Sequence, residues 1–92
     1  MGRPPYTPGM AEDGDQRILD QIHGLMDAEH ELLQQHPVPG RDAAIDLRLG
    51  EIEVEIDQQW DLLRQRRALR RAGGDPSTAE LRGPGTVEGY QQ

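Results

Sequence analysis

The chain reads as an all-α protein: an antiparallel hairpin of two helices, the second longer than the first, with a short C-terminal helical turn and tail. Three observations predict this. Apolar residues recur at three- and four-residue steps in two long segments. A proline-rich break, His36-Pro37-Val38-Pro39-Gly40-Arg41, separates them. The run Glu55 to Arg70 contains no Gly or Pro and is rich in Leu, Arg, Gln and Ala, all good helix formers.

The first 14 residues read as a disordered leader. Pro4, Pro5 and Pro8 keep Met1 to Gly9 out of a helix, and there is little there to bury. Met10-Ala11-Glu12 makes a plausible alternative translation start. Gly14-Asp15 supplies a break and an N-cap, so helix 1 is expected from Asp15 or Gln16 to Gln35 or His36, roughly 30 Å at the standard rise. Its stripe is Ile18, Ile22, Leu25 and Leu32, with Glu29 at the missing step and Leu19, Met26 and Leu33 widening the flank. A stripe that wide favours a bundle over an isolated two-stranded coil.

Pro37 disfavours helical geometry at His36 and removes a donor, and Gly40 permits the reversal. Asp42 then caps helix 2, expected to run to Arg71 or Ala72, roughly 45 Å, where Gly73-Gly74 stops it. The seam on helix 2 is Ile45, Leu49, Ile52, Ile56, Trp60 and Leu63, with Leu62 and Leu69 taking over near the end. Trp60 at seam spacing reads as a core anchor. The tight loop sets Leu33 near Ile45, Leu25 near Ile52 and Ile18 near Trp60, so the last ten or so residues of helix 2 project past helix 1. Residues 15–72 therefore form the hairpin and residues 73–92 the C-terminal turn and tail. In the latter, Asp75-Pro76-Ser77 predicts a turn or two of helix over Pro76 to Leu81. Val87 and Tyr90 could tuck against the projecting end of helix 2.

Composition bounds the function. The chain is 34% hydrophobic over 92 residues, with no Phe to fill a core and no Cys to staple one. Self-association into a dimeric bundle is the expected support. The lack of Cys fits a reducing compartment, and there is neither a signal segment nor a long apolar run, which points to the cytoplasm and away from a membrane.

The net charge of −7 is unevenly laid out. Glu12 to Asp61 holds 14 acids against three Arg, whereas Leu62 to Arg71 holds five Arg and no acid. Acids near a helix start and Arg near its end complement the helix dipole. The same Arg end is also suited to an acidic partner. The expected interaction surface is accordingly Leu62, Arg64, Arg66, Arg67, Leu69, Arg70 and Arg71.

The pattern Glu55-x-Asp57-Gln58-x-Trp60-Asp61-Leu62-Leu63-Arg64-Gln65-Arg66-Arg67-Ala68-Leu69-Arg70, followed by Gly74-Asp75-Pro76 and Val87-Glu88-Gly89-Tyr90, resembles a family of short actinobacterial proteins known only as a domain of unknown function. Ile18-Leu19-x-x-Ile22 and Glu29-His30 agree with that family's first helix. The resemblance covers roughly residues 16–92, and the Pro-rich leader departs from it. It implies an all-helical hairpin of actinobacterial origin and brings no activity, cofactor or catalytic residue.

Among chemistry-bearing groups, Glu29, His30, Gln59 and Arg66 are the candidates for buried polar positions. Glu29 in the apolar stripe pays a desolvation cost unless paired, and pairing with Arg66 of a second copy would select a dimer. Asp27-x-x-His30 has the carboxylate-to-His spacing of metal-binding bundles, with Glu51 opposite. Helix 2 carries no matching motif, however, and His23 and His36 are out of step, so no metal is expected. Flanking Asp57 and Asp61, the acidic balance and the lack of interleaved aromatics weigh against nucleic acid, which remains the alternative partner for the Arg cluster. The carboxylates spread around helix 2 and Ser77 lies far from any His, so no enzyme is expected and no cofactor is implied. The expected function is a small interaction protein, an adaptor or regulator acting by helix-to-helix contact and homodimerisation, with a nucleic-acid or nucleoprotein-associated accessory factor as the alternative and a metal-binding bundle as the third reading.

Overall fold

A computed structural model describes residues 8–83 and residue 85. Helix α1 spans Pro8–Gln35 (28 residues) and α2 spans Ala43–Arg71 (29 residues); a 3-10 turn follows at Pro76–Thr78. The two helices lie side by side as the expected hairpin. Thr86 to Gln92, with Val87 and Tyr90, lies outside the described residues, as does Met1 to Thr7.

The ends of α2 follow from local chemistry. The Asp42 carboxylate accepts from the Ile45 backbone N–H at 3.0 Å, satisfying one of the orphan donors of the first turn. At the other end Gly73 adopts φ of 78°, where only glycine sits without strain. Gly73 N–H donates to Arg70 at 3.1 Å and Gly74 N–H to Leu69 at 2.7 Å, the paired pattern of a Schellman stop. In the connecting loop Arg41 Nε donates to the His36 carbonyl at 3.1 Å.

Helix α1 begins earlier than expected. Pro8 occupies its first position, where a missing N–H costs nothing. Gly14 and Asp15, read as a break and a cap, are interior helical residues. The Asp15 carboxylate is engaged elsewhere, as described below, and the absent Gly14 side chain has a packing reason: a Cβ there would collide with the Arg66 guanidinium. Asp15 lies beside Arg66 and Arg70, so α2 does not project past α1 at those residues as expected.

Ile18, Ile22 and Leu63 form the centre of the core, with Leu19, Ile56 and Leu62 packed against it. Leu25, Leu49 and Ile52 are buried as well. Full burial of Ile22, Ile52 and Leu63 supplies about 1.5–3 kcal/mol each. Ile18 thus closes on Leu63, and Trp60 is a correction: it is 37% exposed. Helical phase explains why. Leu63 comes eleven residues after Ile52, back on the same line, whereas Trp60 comes eight after it and lies about 80° round the helix.

The C-terminal turn is shorter than expected. The Asp75 carboxylate accepts from the Ser77 N–H at 2.9 Å and starts it, but helical geometry ends at Thr78. Beyond it the chain runs back along α2 toward that helix's N-terminus. Gln65 Nε2 donates to the Glu80 carbonyl at 2.7 Å and Gln58 Nε2 to the Arg82 carbonyl at 3.0 Å.

Candidate interaction surface

Five arginines crowd the end of α2, and helical phase divides them. Arg66 and Arg70, one turn apart, face α1. Arg66 Nε donates to Asp15 Oδ1 at 2.7 Å, and Arg70 reaches the same carboxylate with Nη1 at 3.2 Å and Nη2 at 2.6 Å. Arg66 Nη1 also donates to the Pro76 carbonyl at 3.2 Å, tying α1, α2 and the turn at one guanidinium. The three side chains are 22%, 11% and 28% exposed for Asp15, Arg66 and Arg70. Burial alone would raise the Asp15 pKa. The hydrogen bonds and charges of Arg70 and Arg66 outweigh it and hold the carboxyl below its ordinary value.

Arg66 is half-buried, with Asp15 of its own chain as partner. Glu29, expected to meet Arg66 of a second copy, is half-buried and makes no hydrogen bond or ion pair among the described residues of its own chain. His30 is exposed and Gln59 half-buried. Among the described residues no three His, Asp or Glu side chains converge in a way that could hold a metal ion.

Arg64, Arg67 and Arg71 are exposed and make no ion pair among the described residues. With Trp60 they follow steps of four, three and four, and so form one outward stripe headed by an aromatic face. The expected surface thus divides. Arg64, Arg67 and Arg71 are exposed, with Trp60 beside them. Arg66 and Arg70 leave it for Asp15. Leu62 packs on the core and Leu69 is half-buried where the chain turns at Gly74.

A second buried charge lies on the far side of α2. Asp61 is 2% exposed, accepts from Gln65 Nε2 at 2.9 Å and pairs with Arg82 Nε at 3.4 Å. Asp61 sits half a turn away from the α1 contact line, so helical phase alone marks it as solvent-facing. Only the returning segment, which brings Arg82 over it, buries it. Asp15 was more legible: it lies seven residues before Ile22, in core phase, where a carboxylate demands a cation.

The model of a family described as "Protein of unknown function (DUF2630)" matches residues 14–92. The chain is 46% identical over 77 residues to uncharacterized protein Rv0898c of Mycobacterium tuberculosis (strain ATCC 25618 / H37Rv), covering 83% of this chain and 88% of that one. It is equally similar, over the same shares, to uncharacterized protein Mb0922c of Mycobacterium bovis (strain ATCC BAA-935 / AF2122/97). No solved structure matches it.

Proposed function

For this chain, which belongs to the DUF2630 family of proteins of unknown function, we propose the role of a small, non-catalytic interaction protein acting through the outer stripe of α2. One observation carries the reading. Trp60 stands 37% exposed at the head of Arg64, Arg67 and Arg71, three cations without an ion pair among the described residues. A large aromatic in that position forgoes burial worth about 1.5–3 kcal/mol, and Trp and Arg are the side chains most enriched among residues that dominate binding energy. A partner that is acidic and presents a helical or extended apolar edge satisfies both. No helix among the described residues is long and apolar enough to cross a membrane. The cytoplasm is the compartment proposed, on the absence of Cys.

The test is a pull-down from native cytoplasm with the full chain and with Arg64→Glu/Arg67→Glu/Arg71→Glu. The reading expects partners recovered by the first and lost by the second; identical recovery refutes it. The same exposed indole beside cations favours a second reading, an accessory factor on nucleic acid, in which a base stacks on Trp60 and phosphates meet the Arg side chains. That reading requires binding that weakens steeply with salt, and binding indifferent to salt excludes it.

A further inference from the structure

The outer face of α2 changes sign along its length. Glu53 and Asp57 precede Trp60 on the same side of the helix, and Arg64 and Arg67 follow it. Glu53 is exposed and Asp57 half-buried, and neither has an ion pair among the described residues. The spacing is symmetric about the indole. Glu53 and Arg67 lie seven residues to either side, about 10 Å along the axis, and Asp57 and Arg64 lie three and four. A stripe that is acidic before its midpoint and basic after it is complementary to its own reverse. Resting on the reading of this stripe as an interaction surface, we propose that its partner is a second copy of the chain. The two α2 helices pack antiparallel across a two-fold axis at Trp60, with Glu53 facing Arg67 and Asp57 facing Arg64 of the other copy.

Two further observations agree. The contact is isologous, the closed arrangement that soluble homo-oligomers favour, and antiparallel helices related by a two-fold axis through one residue meet in this register. Part of the exposed apolar surface also lies on the Trp60 flank, although Leu47, 67% exposed, and Leu81, 53% exposed, lie elsewhere. In an antiparallel pair, residues displaced from the seam in the same rotational sense lie on the same flank. Met26, 48% exposed, and Leu33, 41% exposed, leave the α1 seam in the same sense as Trp60 leaves that of α2. Leu62 and Leu69 leave it in the opposite sense, on the flank where Arg66 meets Pro76 and the C-terminal turn sits. One flank is closed by the chain itself. The other presents an indole, a thioether and an isobutyl group beside arginines, and aromatic, Met and Arg side chains are enriched at interfaces. The net charge of −7 opposes association at long range, but screening at physiological salt confines that repulsion to about 8 Å while the facing pairs remain in contact.

Sedimentation equilibrium of the full chain and two charge-reversed variants tests this. The wild type is expected to be a dimer. Arg64→Glu/Arg67→Glu makes the facing positions 53, 57, 64 and 67 all acidic, Glu53→Arg/Asp57→Arg makes them all basic, and each is expected to weaken self-association on the order of a hundredfold, since four facing pairs become repulsive. An equimolar mixture of the two variants restores all four pairs and is expected to return to dimer, which also shows that both variants remain folded. Because the chain has no Cys, Glu53→Cys mixed with Arg67→Cys should cross-link on oxidation, whereas Glu53→Cys alone should not. A monomeric wild type, a mixture that stays monomeric, or self-cross-linking through Glu53→Cys overturns the proposal. A monomeric wild type whose Arg stripe still recovers another partner in the pull-down separates failure of the dimer from failure of the interaction reading.

Discussion

Replacing Asp15 by Asn probes whether the ends of the two helices are held by the Asp15, Arg66 and Arg70 cluster. The substitution keeps the shape and one acceptor oxygen but removes the charge that two guanidinium groups share through three hydrogen bonds of 2.6 to 3.2 Å. A fully buried pair broken on one side costs about 3–5 kcal/mol because the surviving charge is stranded. Here the side chains are 22%, 11% and 28% exposed, so water partly solvates the stranded cations and the loss falls to about 2 kcal/mol. For a domain of this size that is a fall in Tm of about 8–16 °C. Thermal melts followed by helical circular dichroism at one fixed protomer concentration read it, with Asp20→Asn as control. Asp20 is exposed and, among the described residues, accepts only from Gln16 on its own helix at 2.8 Å. If Asp15→Asn melts with Asp20→Asn, the cluster does not stabilise the fold and the account of why α1 extends past Gly14 fails.

The Asp15 pKa is lowered in the folded chain, so its contribution is complete above the ordinary aspartate value of about 3.9 and is lost as pH falls through the lower folded value. Urea titrations from neutral pH into that acid range should show the wild type losing more stability than Asp15→Asn, and equal losses would refute the assignment. Asp61→Asn weakens the hold on Arg82 and should cost about 1 kcal/mol, read as faster tryptic cleavage after Arg82 with cleavage after Arg64 unchanged. Gly→Ala should have opposite signs at two sites. Gly73→Ala forces a side chain onto a φ of 78° and is expected to destabilise by about 1–2 kcal/mol. Gly24→Ala, in mid-helix with open space around it, should stabilise by about 0.5–1 kcal/mol in the same thermal melts.

The hairpin was legible because its signals are local. Pro37 and Gly40 break the helix, Asp42 caps the next, and Gly73 ends it, each by chemistry within a few residues. The misreadings share a different cause. Gly14-Asp15 carries the signature of a helix start, but Asp15 has a partner 51 residues away in Arg66, and long-range pairing overrides a local cap preference. Summed steps of three and four carry Trp60 into the seam. Over two turns that sum drifts from the 3.6-residue period far enough to put Leu63 in the core and the indole outside it. The burial of Asp61 carries no periodic signal, because the segment that covers it is irregular.

These departures have a common consequence for the surface. Had Asp15 served as a cap, Arg66 and Arg70 would have remained part of a cationic end with charges all round the helix. By engaging both of them, Asp15 confines the uncompensated charge to Arg64, Arg67 and Arg71, one flank of one helix. Arg66, donating to the Pro76 carbonyl at the same time, seats the turn on the opposite flank, where Leu62 and Leu69 lie. A hairpin of two helices has two flanks to cover. This chain closes one at Leu62 and Leu69 with its own C-terminal segment and leaves Trp60, Met26 and Leu33 exposed on the other among charges of both signs, which is the flank the proposed partner would approach.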